Sequence, residues 1–539
     1  MTTLLRGGSV YSPHDPFATA LVVDGGTVSF VGSDEAALAW AGGADAVDEV
    51  VELDGCLVTP AFVDAHVHTT ETGLLLDGVD LQDARSVTEI LERVETASRR
   101  RGGRPVLGHG WDDTRLAEGR APTRAELDRA SAGGVVYLSR VDAHSAVLSS
   151  ALAAASGADR LEGWSDDGRA ERAANHAARD VTRDLPPDRR AEVQRLALRA
   201  AAAAGIASVH EAHAPHIAPD DDLRALVALA GDPSERLPDV VAYHGRLAGS
   251  AEEAAALRDA FGPWLAGLAG DLVADGSVGS RTAAYRADYA DAPGHCGHAY
   301  LSAVQIRDHV VACTRVGLQA GFHVIGDAAA DAVVEGFTTA AEIVGAPAVR
   351  AARHRLEHVE SVDAAAIAVL ADLAVTASVQ PAFDALWGGP DGMYAQRLGP
   401  DRALTMNPYA AMAAAGVPLA LGSDCPVTPF DPWGAVRACV FHHVVDQRTS
   451  ARAAFTAHTR GAYRAARRDG EGVLRPGAPA TLAVWTVSDL VVQAPDDRIE
   501  AWSTDPRSGT PTLPDLTPGT PAPTCVLTMR DGVVLHDAR

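Results

Sequence analysis

Through the middle of this 539-residue chain, short apolar runs that end in polar residues alternate with Ala-, Arg- and Glu-rich stretches. Stretch 190–204 is one of these and carries the 3.6-residue periodicity of a helix. The first apolar run, 59–68, reads Thr-Pro-Ala-Phe-Val-Asp-Ala-His-Val-His. As a strand it turns alternate side chains to one face, which sets His66 and His68 together. Two imidazoles from one strand can hold one metal ion; two ordinary histidines at a strand end is the plain alternative. Further runs follow at 206–210, 239–244, 271–275, 318–323, 354–358, 375–380 and 417–424. With the first, that makes about eight strand–helix units, the count of a (β/α)8 TIM-like barrel whose chemistry sits at the C-terminal strand ends.

The ends of the chain have a different rhythm. Within 1–58 the runs 4–10, 19–23, 28–31 and 50–53 are short and separated by turn signals such as Asp24-Gly25-Gly26 and Asp54-Gly55. The runs 482–487, 525–529 and 533–536 match them, with Asp531-Gly532 as a hairpin signal. Neither end has enough apolar residues for its own core, so the expectation is one composite β-sandwich from residues 1–58 and 473–539, around a barrel spanning 59–472. Segment 511–523 is Pro/Thr-rich and reads as a loop. Segment 69–205 is too long for one connection. It holds strand-like runs at 105–108 and 135–139 and reads as an inserted subdomain over the barrel mouth.

Composition narrows the partners. The formal net charge is −25 and the pI is near 5.1, which disfavours nucleic acid and anionic membrane. No window suits a membrane span, and residues 1–8 lack the pattern of a signal peptide. The six cysteines are scattered with no C-x-x-C, so neither a disulfide framework nor a structural zinc cluster is expected, and a reduced cytoplasm is. All 46 basic residues are arginine; there is no lysine. A small-molecule substrate is expected, and a homodimer, the commonest oligomer.

Polar residues recur where the apolar runs end: His66 and His68, His210, His244, Asp271 or Asp275, His323, His358 and Asp424. Any one of them has a structural explanation, such as a helix cap for Asp424. Together they suit a barrel enzyme built around a metal. Weaker candidates are Arg281, for an anionic substrate group or a structural ion pair, and Trp111, Asp112 and His144, as pocket lining or core. His210, Glu211 and His213 also look metal-rich, with His213 expected beyond the strand end.

Several motifs resemble the amidohydrolase superfamily, in particular its family 3 branch of N-substituted formamide deformylase-like hydrolases. They are His66-Val67-His68, Phe322-His323-Val324-Ile325-Gly326-Asp327, His354-Arg355-Leu356-Glu357-His358, Ser378-Val379-Gln380-Pro381 and Gly422-Ser423-Asp424-Cys425-Pro426-Val427, with the stretch from Ala274 to Ala283. The resemblance runs from about residue 4 to the C-terminal strands. It implies a metal-dependent barrel hydrolase in which His66, His68, His323, His358 and Asp424 are ligands, with a divalent metal, zinc foremost, as one or two ions. Many members of the superfamily bridge two metals with a carboxylated lysine. The matching position here is Asp271, so either Asp271 bridges directly or the site holds one metal. Phe383 stands where the branch is expected to carry histidine.

The expected reaction is hydrolysis of a non-peptide C–N bond, with Asp424 as general base and acid and His358 beside the substrate carbonyl. Two alternatives stand beside it: an ester or lactone hydrolase, and a barrel that has lost catalysis and serves as a binding protein.

Overall fold

The computed structural model describes residues 1–493, 502–503 and 510–539. Eight strands follow one another in a single sheet in chain order: Phe62–Val67, Ile206–His213, Asp239–His244, Leu265–Leu268, Gln319–Val324, Arg355–His358, Thr376–Val379 and Leu419–Leu421. Every pairing between neighbours is parallel. A parallel bridge from Val67 to Cys425 returns the segment after the eighth strand to the first. The sheet therefore closes as a (β/α)8 barrel with helices outside.

The fourth strand differs from the expectation. The run 271–275 is not a strand; it crosses the barrel mouth, touching the fifth strand through a bridge from Val273 to His323. The strand is Leu265–Leu268, a Leu-Ala-Gly-Leu segment whose apolar signal is weak. Its glycine is needed, because a Cβ on Gly267 would meet the Gln319 carbonyl oxygen at 2.5 Å. The second strand runs on to His213, so that residue lies within it and pairs in register with His244.

Both ends of the chain build the sandwich. One sheet orders Thr27–Gly32, Ala20–Asp24, Thr2–Arg6 and Glu49–Glu52; the other orders Ser9–Val10, Leu57–Pro60, Leu482–Thr486, Thr524–Arg530 and Val533–Asp537. Leu5, Val23 and Val51 from one end pack with Leu482, Val484, Leu527 and Met529 from the other. The 511–523 stretch includes a short strand, Leu513–Pro514, paired with Leu490–Gln493. Trp485 couples this sandwich to the barrel. Its ring packs edge-on to Phe62 at 5.7 Å and its Nε1 donates to Thr59 Oγ1 at 2.9 Å. Such aromatic pairs stabilise by about 0.5–1.5 kcal/mol beyond their burial, and this one anchors the root of the strand that carries His66.

Between the first two barrel strands, Arg169–Glu171, Ser145–Leu148, Val136–Arg140, Val106–Trp111 and Val79–Asp80 form a separate five-stranded sheet. Buried Arg140 pairs there with Asp112, Asp113 and Asp142. Asp142 accepts from the hydroxyls of Ser277 and Ser280 at 2.8 and 2.9 Å. These serines lie beyond the fourth strand, so the inserted sheet is bound to the C-terminal end of the barrel. No single helix among the described residues is long and apolar enough to cross a membrane.

Candidate metal centre

His66 lies in the first barrel strand and His68 directly after it, at the start of helix Thr69–Asp77. Alternation along that strand aims both rings into the barrel mouth. His66 Nε2 is 3.4 Å from Asp271 Oδ1 and 3.4 Å from Asp424 Oδ1. His68 Nε2 is 3.4 Å from Asp271 Oδ2 and 3.1 Å from Asp424 Oδ1. The His358 ring stands 5.0 Å from that of His66 and 4.5 Å from that of His323. Two sets have donor atoms close enough together for one ion: His66, His68 and Asp271, and His66, His358 and Asp424.

Backbone geometry aims two of these groups. In the sixth strand Arg355 and Glu357 face the barrel interior, which by alternation would turn His358 outward. His358 instead has φ +71°, and Asp424 has φ +57°. Left-handed backbone at residues other than glycine is strained and persists where the surroundings fix it. For Asp424 the fixing contact is its own N–H, which donates to the His66 carbonyl at 2.8 Å. Asp64 Oδ1 holds the preceding Ser423 N–H at 2.8 Å.

The donor set suits a divalent cation. His66 Nε2, Asp271 Oδ1 and Asp424 Oδ1 are buried and have no hydrogen-bond partner among the described residues. Buried polar atoms are normally satisfied. Burial opposes a charge on His66, yet Asp424 and Asp271 raise its pKa well above the ordinary value. Burial likewise opposes ionisation of Asp271, yet His68 and His66 hold it well below the usual carboxylate range. His358 goes the other way: burial, then His323 and His66, keep its imidazole neutral, the form that ligates metals.

Neighbouring groups orient the imidazoles. Glu357 Oε2 is 2.8 Å from His66 Nδ1, and Gln380 Oε1 is 2.8 Å from His358 Nδ1. Glu357 is itself held by Arg355 at 2.6 Å. In the sequence Arg355, Glu357 and Gln380 stand inside the family motifs with no role of their own apparent. The usable signal is the i, i+2 spacing of Arg355 and Glu357, which sets the two opposite charges on one face of a strand.

A cavity of about 150 Å3 opens beside this set, bounded by His68, Asp271, His323, His358 and Asp424 from the barrel and by His109, His144 and Arg179 from the insertion. A smaller recess of about 30 Å3 shares His323, His358 and Asp424 with it and adds Phe383, Trp387 and Met393. Phe383 stacks on the His358 ring at 6.0 Å. His144 borders both spaces, with its ring 5.2 Å from that of His323.

Other sequence candidates lie elsewhere. Arg281 pairs with Asp291 at 3.0 and 2.6 Å and borders neither space. Trp111 is in the core of the insertion, its Nε1 donating to the Leu138 carbonyl at 2.8 Å. Asp112 pairs with Arg140. His210 Nδ1 meets Arg355 Nη1 at 3.0 Å, and His213 and His244 meet each other at 3.0 Å. Asp275 accepts from the backbone N–H groups of Ala284, Ile325 and Gly326 and so braces the loops around His323.

A closed barrel with a composite sandwich, and histidines converging with carboxylates at its mouth, defines the class of metal-dependent hydrolases. The family model described as "Amidohydrolase family" matches residues 49–536, and the chain belongs to that family. It is 26% identical over 517 residues to Protein LONG AFTER FAR-RED 3 of Arabidopsis thaliana, covering 89% of this chain and 86% of that protein. It is 26% identical over 452 residues to N-substituted formamide deformylase of Arthrobacter pascens, covering 78% and 80%. Among solved structures, an uncharacterized metal-dependent hydrolase from Pyrococcus furiosus matches with a TM-score of 0.69 and 27% identity, over 90% of this chain and 98% of that one.

Proposed function

We propose that the protein hydrolyses a non-peptide C–N bond, an amide or close relative, of a small molecule. The convergence of His66, His68, Asp271 and Asp424 beside a cavity at the barrel mouth carries this reading. The similarity to a formamide deformylase supports the bond class.

One ion position accounts for the donor geometry. Both metal-capable sets contain His66. Its Nδ1 is engaged by Glu357, and its remaining nitrogen can serve only one ion. His66, His68, Asp271 and Asp424 would hold that ion, with His358 adjoining, and zinc suits imidazole and carboxylate donors. A divalent ion there supplies Lewis acidity and lowers the pKa of a water from about 15.7 towards about 7.

The chain's own residues do the rest. The Asp424 carboxylate takes the proton of the attacking water and returns it to the leaving nitrogen. Gln380 Oε1 accepts from the Nδ1–H of neutral His358, which leaves the lone pair of its other ring nitrogen turned towards the ion position. The insertion walls part of the cavity through His109, His144 and Arg179, and this shielding strengthens each of these electrostatic contacts.

The test is Asp424→Asn on purified protein, with metal content measured alongside turnover on a panel of small amides and esters. The expected result is about one divalent ion per chain in the wild type, retained in the variant, with amide turnover abolished. Near-normal turnover in the variant would remove the role of Asp424. Wild-type turnover of esters but not amides would overturn the C–N reading.

A further inference from the structure

The cavity beside the ligand set is lined by a buried cation that forms no ion pair among the described residues. Arg179, on helix Arg172–Arg183 of the insertion, is only 7% exposed and lines the cavity. Its Nε donates to the Tyr137 hydroxyl at 3.2 Å, and its Nη2 donates to the Ala143 carbonyl. Among the described residues its Nη1 has no hydrogen-bond partner, and the guanidinium forms no ion pair.

The acids on the cavity wall are already engaged. Glu71 is gripped by two nitrogens of Arg183. Asp142 is held by Arg140, Ser277 and Ser280. Asp271 and Asp424 face His66 and His68. Arg172, the other guanidinium on the cavity wall, is paired with Glu162. The imidazoles that the insertion brings to the wall add no charge, since burial pushes His109 and His176 down to about 4 and His144 down to about 3. A buried charge is costly unless paired, so an unpaired guanidinium facing a cavity calls for an anion from outside. The smaller recess is a poor seat for that anion: beside Phe383, Trp387 and Met393 its walls carry Asp142 and Glu360, and its arginine, Arg140, is tied to three carboxylates.

We propose that Arg179 receives a carboxylate of the substrate, which makes the substrate a small amide bearing one carboxylate, with an apolar part seated against Phe383 and Trp387. This rests on the hydrolase reading for the position of the scissile bond. A planar guanidinium suits a carboxylate geometrically, and charge-assisted hydrogen bonds are the strong ones.

The test measures binding by calorimetry to metal-loaded protein, with N-benzoylglycine against N-benzoylglycinamide, and with the reversed pair, the mono-benzylamide of succinic acid against its terminal amide. In at least one pair the wild type should bind the acid roughly ten- to a hundredfold more tightly than the amide, the range expected for a hydrogen bond to a charged group. Arg179→Gln should erase that ratio. Arg179→Lys, which keeps the charge and a donor, should restore part of it; a purely structural role would affect acid and amide alike. An acid that binds no better than its amide in both pairs, or a preference that survives in Arg179→Gln, overturns the proposal. The two readings fail separately: absent amide turnover with the acid preference intact would strike the reaction class and leave the carboxylate site standing.

Discussion

His66 Nδ1 lies 2.8 Å from Glu357 Oε2, with both side chains fully buried. Arg355 holds Glu357 from the other side at 2.6 Å and keeps its carboxyl ionised against the pull of burial. The contact fixes the tautomer of His66, so that Nε2 is the nitrogen presented to Asp271 and Asp424. A metal-ligating histidine commonly has its other nitrogen held in this way.

Glu357→Gln keeps the shape and weakens this orientation. Metal affinity should fall about 10- to 100-fold, read by competition with a chelator of known affinity. Unchanged affinity would mean that Glu357 serves only to neutralise Arg355.

The helix that starts beside His68 has no slack against its neighbour. A Cβ on Gly73 would meet the backbone carbonyl oxygen of Val193 at 1.9 Å, so helices Thr69–Asp77 and Pro187–Ala203 could not keep their spacing. Overpacking of this kind typically costs about 1–3 kcal/mol. Gly73→Ala should lower the melting temperature, followed by circular dichroism, and reduce metal retention because His68 moves with the helix. A melting temperature equal to the wild type would contradict this packing.

Acid should destabilise the fold through buried histidines away from the ligand set. Burial pushes His309 down to about 4, His354 down to about 3 and His458 down to about 4. The Ala248 N–H donates to His309 Nδ1 at 3.0 Å, and His309 Nε2 faces the Leu268 carbonyl at 2.9 Å, an arrangement that needs the neutral ring. Unfolded imidazoles take up protons near pH 6.5 and the folded ones do not. The unfolded state therefore binds more protons between that pH and the folded pKa, and stability falls as pH drops through this window. Each group contributes at most about 1.4 kcal/mol per pH unit. Denaturant titrations at pH 7 and pH 5 should show the loss, and His309→Gln should flatten the slope. A pH-independent midpoint would contradict these depressed values.

Much of the fold was legible in the chain. Strand periodicity and turn residues are local properties, so seven of the eight barrel strands fell where apolar runs end in polar residues, and both sandwich halves announced themselves as short strands around turns. His66 and His68 were legible together because alternation within one strand needs no distant information. The fourth strand was not, since Leu265–Leu268 carries little apolar signal and is defined by how closely Gln319 approaches Gly267.

By itself, then, the sequence determined the barrel, the composite sandwich and the paired imidazoles that open the site. Tertiary structure alone decided what stands across from them. It brings Asp271 from a mouth-crossing loop to within 3.4 Å of both imidazoles, turns His358 inward through a left-handed backbone, ties Arg281 to Asp291 and leaves Arg179 facing the cavity. The physical reason is range. Periodicity is set by neighbours a few residues apart, whereas the partner of a buried charge is whichever group the packed fold brings within a few ångströms.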